Sequence, residues 1–331
     1  MDSETRNKME LSIIIVNWNA LDYLCECIAS IYENTGGIQF EIIVVDNASI
    51  KGDINVLKEP FPEVIIIKSR QNLGFAGANN LGCRQAKGEY VLFLNPDTKL
   101  VGLAINVLLD RMRMLPDAGI VGCRQVNPDL TVQTTSIQKF PTILNQIFNI
   151  EYLRLRWPAF TLWNIAPLFR DNPLPVVVDV IPGACMLLRR ELFEQVGMFS
   201  EEYFMYAEDV DLNYKVARSG LKNYYVSDAV IIHYGGKSSS QTSVNQWATM
   251  MKYRSMDLYY SKFHGQSYAL LYRIVMGACA IGRIALIALA FPFGNILWKK
   301  QVLRLAIQKW GAVLKWSLGI AGRSLNVTIN P

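Results

Sequence analysis

Three clusters of polar side chains in this 331-residue chain have the types and spacing that chemistry needs. Asn95-Pro96-Asp97 follows the apolar run 90–94, and a carboxylate held at a strand end by a stiff proline is placed to bind a divalent cation or a cation-bound diphosphate. The same triplet also reads as an ordinary turn. Glu208, Asp209 and Asp211 put three carboxylates within four residues, behind the aromatic-rich segment 203–206 and at the start of an amphipathic helical pattern. Capping and the helix dipole account for one acid there, and a base that deprotonates a hydroxyl accounts for another. His233, one of two histidines, ends the apolar run 230–232. Its 24-residue separation from Asp209 allows a helix, a strand and a return to the same rim. Both an imidazole metal ligand and a strand-end core histidine fit that position.

A small-residue stretch from Asn72 to Asn80 opens a further helical pattern, and such a stretch lets backbone amides approach an anion at the positive end of a helix. No Gly-x-Gly-x-x-Gly follows the first apolar run and no Gly-x-x-x-x-Gly-Lys-Ser/Thr phosphate loop occurs. Dinucleotide oxidoreductases and P-loop NTPases are therefore disfavoured.

These residues need a scaffold that gathers them. Apolar runs at 11–17, 41–46, 64–67 and 90–94 alternate with helical periodicity near 21–32 and 76–86, and no run shows period-2 alternation. Continuous apolar strands between helices specify an α/β fold with a mostly parallel sheet buried on both faces. In such a sheet ligands bind beyond the carboxyl ends of the strands, where this sequence carries Asn17, Asp46, Arg70 and Asn95-Pro96-Asp97. Residues 128–175, rich in Pro, Trp and Thr, predict a long excursion able to line or cover an acceptor site. Regular pattern resumes with a run at 176–180, the turn Pro182-Gly183-Ala184, a run at 185–188, a helix starting at 190, a helix over 208–218 and two short strands within 223–233. A Gly/Ser-rich loop at 235–240 marks a boundary. The expected organisation is a catalytic domain over 1–240 and a helical extension over 241–331.

Composition excludes disorder, since 51% of residues are hydrophobic and 18% charged. The net charge of +5 is uneven. Residues 252–331 hold eleven Lys/Arg against the single acid Asp257, so the tail carries +10 and residues 1–251 carry −5. The acidic body offers no footprint for nucleic acid. The six cysteines include no Cys-x-x-Cys pair and read as reduced thiols, and the polar opening 1–8 is unlike a signal peptide, so a cytoplasmic location is expected.

The strings VNWN, VVDNAS, NLGFAGANN, FLNPD, GACMLLRR, YFMYAEDVDL and HYGG, in this order over roughly residues 10–240, resemble the rhamnosyltransferase-like branch of the family 2 glycosyltransferases. The resemblance implies a GT-A fold, Rossmann-like with a mostly parallel sheet. It further implies a nucleotide-diphosphate sugar donor, Mg2+ or Mn2+, and inverting transfer to a glycan or lipid-linked acceptor in cell-surface polysaccharide synthesis. By position, Asn17 and Asp46 match donor-nucleotide contacts, and Arg70 and Asn72 match the segment that closes over the nucleotide. Asn95 and Asp97 match the donor and metal loop, and His233 a metal-ligating histidine of similar galactofuranosyltransferases. Asp209 matches the catalytic base, with Glu208 and Asp211 as supporting acids. Asn95 stands where the fuller Asp-x-Asp motif has its first carboxylate, so the loop supplies one charge fewer. The branch implies dTDP-rhamnose as donor. UDP-hexose or galactofuranosyl transfer on the same fold is the alternative, and a non-catalytic nucleotide-sugar-binding partner in a glycan assembly complex is an alternative of another class.

The tail poses a separate question. Residues 274–293 contain one charge, Arg283, and nearly reach the length of a membrane span. A mid-span arginine costs about 2.5–3.5 kcal/mol on insertion scales, and Pro292 and Gly294 break the helix just beyond. Residues 297–318 set Lys299, Lys300, Arg304, Lys309 and Lys315 among Trp298, Leu303, Trp310, Leu314 and Trp316, a pattern suited to a helix lying in an anionic membrane surface. Peripheral attachment to the inner face of the cell membrane is the expectation. A helical pair packed on the catalytic domain or on a second copy, giving a homo-oligomer, is the alternative.

Overall fold

The computed structural model describes residues 9–170, 174–235, 246–290 and 300–320. The expected boundary loop beyond Gly235, and Pro292, Gly294, Trp298 and Lys299, lie outside the described residues. The described residues fall into two compact units, one within 1–140, 150–204 and 208–238, the other within 141–149, 205–207 and 239–331.

The first unit begins with β1 (Leu11–Asn17), α1 (Leu21–Asn34), β2 (Phe40–Asp46), β3 (Ile65–Lys68), α2 (Gly74–Cys83) and β4 (Tyr90–Leu94). The strands lie parallel in the order β3-β2-β1-β4. Successive side chains of a strand point to opposite faces, so the unbroken burial of β4 and the nearly unbroken burial of β1 and β2 mean that both faces are covered.

The chain continues through β5 (Thr98–Val101), α3 (Ala104–Met114), β6 (Ala118–Val126), α4 (Ile143–Ile147), α5 (Glu151–Arg156), β7 (Val176–Val178), β8 (Cys185–Arg189), α6 (Arg190–Gln195), α7 (Glu208–Arg218) and β9 (Lys222–His233). The sheet runs β3-β2-β1-β4-β8-β6-β9-β5, with β7 also on β9. β8 is antiparallel to both β4 and β6, β6 is parallel to β9, and β5 and β7 are antiparallel to β9.

Where two short strands were expected near 223–233, one twelve-residue strand forms. Its register against β6 jumps between Val226 and Val230, so residues 227–229 bulge. The bulge lets the first half of β9 pair with β7 and the second half with β5. The excursion after β6 is anchored by backbone bridges from Val126 to Val132 and from Gln138 to Val180, and by the buried Ile137, Trp163, Ile165 and Leu168.

The second unit contains α4 with α8 (Gln246–His264), α9 (Gln266–Ala290) and α10 (Lys300–Ser317). α9 buries a stripe at helical spacing, Ala269, Tyr272, Met276 and Ala280. From α8 come the buried Met256, Tyr259 and Tyr260, and from α10 Leu303, Val313 and Trp316. Trp316 meets Tyr253 and Tyr272 with ring centroids 5.4 and 5.7 Å apart. Of the apolar residues of α10 expected to lie on a membrane, Leu303 and Trp316 are buried inside the helical unit, and Trp310 and Leu314 are half-buried.

Candidate active site

The carboxyl ends of β1 and β2 are joined by amide side chains. Asn17 closes β1, and its Nδ2 donates to Asp46 Oδ1 at 3.1 Å and to Ser49 Oγ at 3.1 Å, while its Oδ1 accepts the Ala20 N–H that leads into α1. Asn19 sits at φ 56°, where asparagine is tolerated, and its Oδ1 accepts the N–H groups of Ile50 and Lys51 at 2.8 and 2.9 Å. Asn47 extends the network, donating to Asn72 Oδ1 at 2.9 Å and accepting the Leu73 N–H at 2.8 Å. Asn17, Asp46 and Asn72 thus share one hydrogen-bonded rim, and Arg70 is exposed beside it, after β3.

The small-residue start of α2 behaves differently from the anion site expected of it. The Leu73, Gly74 and Phe75 N–H groups donate to Asn47, Asn72 and the Phe204 carbonyl, so these amides are spent within the protein. Gly74 has φ +71°, and an added Cβ would stand 2.2 Å from the Phe204 oxygen. Only glycine allows this approach, which ties the α2 turn to the loop before α7.

Asp97 and His233 meet because of strand direction. β5 starts directly after Asp97 and runs antiparallel to the end of β9, pairing Thr98 with His233, and Tyr234 N donates to Asp97 O at 2.9 Å. His233 Nε2 lies 3.5 Å from Asp97 Oδ1 and 3.5 Å from the Asn95 amide nitrogen. On its other side His233 Nδ1 stands 3.0 Å from Gln133 Oε1, and Gln133 Nε2 donates to the His233 carbonyl at 2.6 Å. An Nδ1–H donated to Gln133 leaves the Nε2 lone pair facing the Asp97 carboxylate, the arrangement by which a metal-ligating histidine is oriented.

A gap of 3.5 Å between two donor atoms lets both reach one cation at about 2.0–2.2 Å. Among the described residues no group of three or more His, Cys, Asp and Glu is placed to hold a metal ion. The pair, with the Asn95 amide beside it, fits a cation that takes its remaining ligands from substrate phosphate and water, as Mg2+ sites commonly do.

The carboxylates of α7 separate by environment. Asp211 is fully buried, with its Oδ1 accepting from Ser200 Oγ at 2.7 Å and paired with Lys215 Nζ at 3.1 Å, so it serves packing. Asp209 stays partly exposed, its Oδ2 accepting the Gly183 N–H at 3.1 Å and its Oδ1 the Val210 N–H at 2.8 Å. Loss of hydration pushes its carboxyl above the ordinary range, against the pull of those two amides. Glu208 is buried, its Oε2 lacks a hydrogen-bond partner among the described residues, and desolvation together with the neighbouring Asp209 charge raises it much further. The two residues before it, Tyr206 and Ala207, both occupy left-handed backbone at φ 70° and 67°, strain of the kind that gathers at functional sites.

The turn before β8 links the two sides of the site. Leu94 pairs with Cys185, and Asn95 N donates to Ala184 O at 3.0 Å, so Pro182-Gly183-Ala184 flanks the metal-type loop while its Gly183 amide grips Asp209. A Cβ at Gly183 would stand 3.0 Å from the Phe75 ring and 3.6 Å from Asp209 Cβ, so the bare glycine backbone permits the approach. Asn213 sets the height of α7, its Nδ2 donating to the Ile181 and Asp209 carbonyls and its Oδ1 accepting the Ile181 N–H. Asn47, Gln133 and Asn213 were not singled out from sequence. Asn213 carried a weak signal, since it lies one helical turn after Asp209 and shares its face.

Comparison with known proteins agrees with this architecture. Residues 12–197 match the family model described as glycosyl transferase family 2. The N-acetylglucosaminyl-diphospho-decaprenol L-rhamnosyltransferase of Mycobacterium tuberculosis is 29% identical over 222 residues, 64% of this chain and 72% of that protein. The rhamnosyltransferase WbbL of Escherichia coli K12 is 27% identical over 233 residues, 67% of this chain and 82% of that protein. Among solved structures, the mannosyltransferase PcManGT of Pyrobaculum calidifontis, determined with GDP-mannose and Mn2+, aligns with a TM-score of 0.57 at 17% identity over 95% of this chain and 88% of that one, which establishes the shared GT-A fold. The chain belongs to glycosyl transferase family 2, in its rhamnosyltransferase-like branch, and is a glycosyltransferase.

Proposed function

We propose that the protein is an inverting, cation-assisted rhamnosyltransferase that moves rhamnose from dTDP-rhamnose to a lipid-linked glycan acceptor at the cytoplasmic face of the membrane. The observation that carries this reading is the pairing, across the Pro182-Gly183-Ala184 turn, of a two-donor cation site with a desolvated carboxylate. The M. tuberculosis relative, whose name joins rhamnosyl transfer to a diphospho-decaprenol acceptor, supports both the sugar and the acceptor class.

Asn17, Asp46 and Asn72 form a rim suited to the base and ribose, with Arg70 beside it for phosphate charge. Asp97 and His233 would hold Mg2+ or Mn2+, as solved GT-A relatives hold Mn2+. When bound, the cation offsets the negative charge that builds on the departing diphosphate. Asp209 accepts the proton of the acceptor hydroxyl as the oxygen attacks the anomeric carbon opposite the leaving group, which inverts that carbon. Gly183 and Val210 hold the carboxylate by one N–H to each oxygen, and each oxygen keeps lone-pair capacity for the incoming proton. Burial and the neighbouring Asp209 charge shift Glu208 well above the ordinary range and so disfavour a second charge beside Asp209.

Titration of Mn2+ with dTDP, read by calorimetry, tests the site. Asp97→Ala and His233→Ala should each weaken Mn2+-dependent nucleotide binding at least tenfold and leave binding under EDTA unchanged. Equal weakening with and without the cation would contradict the assignment.

A further inference from the structure

The lipid-linked acceptor proposed above raises the question of which surface meets the lipid, and the outward face of α9 supplies an answer. α9 is 25 residues long, and opposite its buried stripe it presents Leu270, Leu271, Ile274, Ile281, Leu286 and Leu289, each between 49 and 72% exposed. Ala278 and Ala285 fill the intervals at the same helical spacing and are also exposed, so the stripe is aliphatic throughout. Leu144 and Phe148 of α4, in the same unit, are exposed as well. An aliphatic face of the length of α9 marks an interaction site.

The charge that argued against a membrane span points away from this face. Arg283 lies inward, its guanidinium 4.2 Å over the Trp310 ring and its Nη2 donating to the Ile147 carbonyl at 2.7 Å. The outward stripe is thereby left without a charge. By length and composition α9 could cross a membrane. Its other face, however, is packed on α8 and α10, which carry Lys252, Arg254, Lys262, Arg304, Lys309 and Lys315, and a span would take these into hydrocarbon.

Electrostatics select the occupant. Asp257 is the only acid the sequence places in this unit, and it is bound to Arg273, whose Nε donates to Asp257 Oδ1 at 2.8 Å. A second copy docking stripe to stripe would oppose two surfaces that each carry a large excess of positive charge, whereas an anionic bilayer complements both the aliphatic stripe and the bases around it. We infer that α9 lies in the plane of an anionic membrane with its Leu270–Leu289 face among the acyl chains, and that this face, rather than that of α10, anchors the enzyme beside a lipid-linked acceptor.

The inference deepens the acceptor reading and is tested apart from it. Full-length protein is floated with phosphatidylcholine vesicles, with and without phosphatidylglycerol, at low and high salt. Far-UV circular dichroism and donor hydrolysis are measured on every variant. The wild type should float with phosphatidylglycerol vesicles and release in part at high salt. Ile274→Glu/Leu286→Glu should lower the bound-to-free ratio at least tenfold with helicity and hydrolysis unchanged, and Met114→Glu, at an exposed apolar residue of the first unit, should float as wild type. Flotation of the double variant at the wild-type level, or no flotation of the wild type, overturns the inference. So does a wild-type dimer that the double variant dissociates, or resistance of bound protein to carbonate extraction. Flotation as expected without hydrolysis or transfer of any donor would leave the surface standing and sink the catalytic reading instead.

Discussion

A carboxylate that takes a proton from a sugar hydroxyl must be ionised at working pH and still basic enough to keep that proton in the transition state. In the proposed role of Asp209, partial desolvation raises the carboxyl while two amide donors pull it back. Asp209→Asn should leave dTDP affinity nearly unchanged and lower kcat by about 10²–10⁴-fold. Its raised value also places the acid limb of the wild-type kcat/KM profile above the ordinary carboxylate value of about 4, and a limb at that ordinary value would contradict the assignment. Glu208 gives a stability signature. Its folded value is raised, so its contribution to stability is full below the ordinary carboxylate range and is lost as pH rises through the raised value. Urea midpoints of the wild type should fall across that window, and those of Glu208→Gln should fall less; identical slopes would place Glu208 in water. The types and order of these acids were legible in sequence, but their division of labour was not. Whether a carboxylate faces Lys215, an amide or no partner depends on contacts that a helical pattern leaves open.

The elements of the parallel half could be read from the chain because the apolar runs of β1, β2 and β4 matched strands buried on both faces, with β3 as a partly exposed edge strand, and β1 and β4 occupy the expected residues. β5, α3 and β6 escaped that reading. β5 is four residues long with alternating burial, and β6 opens Ala-Gly, a weak strand signal, so neither resembles the continuous runs before them. The loss mattered, since the meeting of Asp97 with His233 follows from β5 lying antiparallel to β9. Gln133 went unnoticed for a related reason: a glutamine in an irregular segment acquires meaning only from the histidine that the β9 end brings to it. The α2 turn offers a test at this scale. Gly74→Ala forces a Cβ toward the Phe204 carbonyl from left-handed backbone and should cost about 1–3 kcal/mol. Chemical denaturation should report that loss, together with weaker dTDP binding through Asn72; an Ala variant with unchanged midpoint would show that the turn relaxes freely.

For the whole molecule, the sequence separates an acidic body from a strongly basic tail, and the second compact unit joins residues of that tail with 141–149 and 205–207. The motif strings lie at strand ends, helix starts and in β8 around the candidate site, and residues 12–197 of that body match the family model. The face of the tail that meets lipid was not legible, because both α9 and α10 are apolar along one side and only packing shows which side is used up. The central claim, transfer from a nucleotide sugar assisted by a divalent cation, is tested most directly by incubating the enzyme with dTDP-rhamnose, UDP-glucose, UDP-galactose and UDP-galactofuranose and following nucleotide release with Mn2+, with Mg2+ and with EDTA. dTDP should be released from dTDP-rhamnose in a reaction that stops on chelation and falls at least about 10²-fold in Asp209→Asn. Donor binding without turnover of any sugar, or turnover that survives both chelation and Asp209→Asn, would contradict that claim.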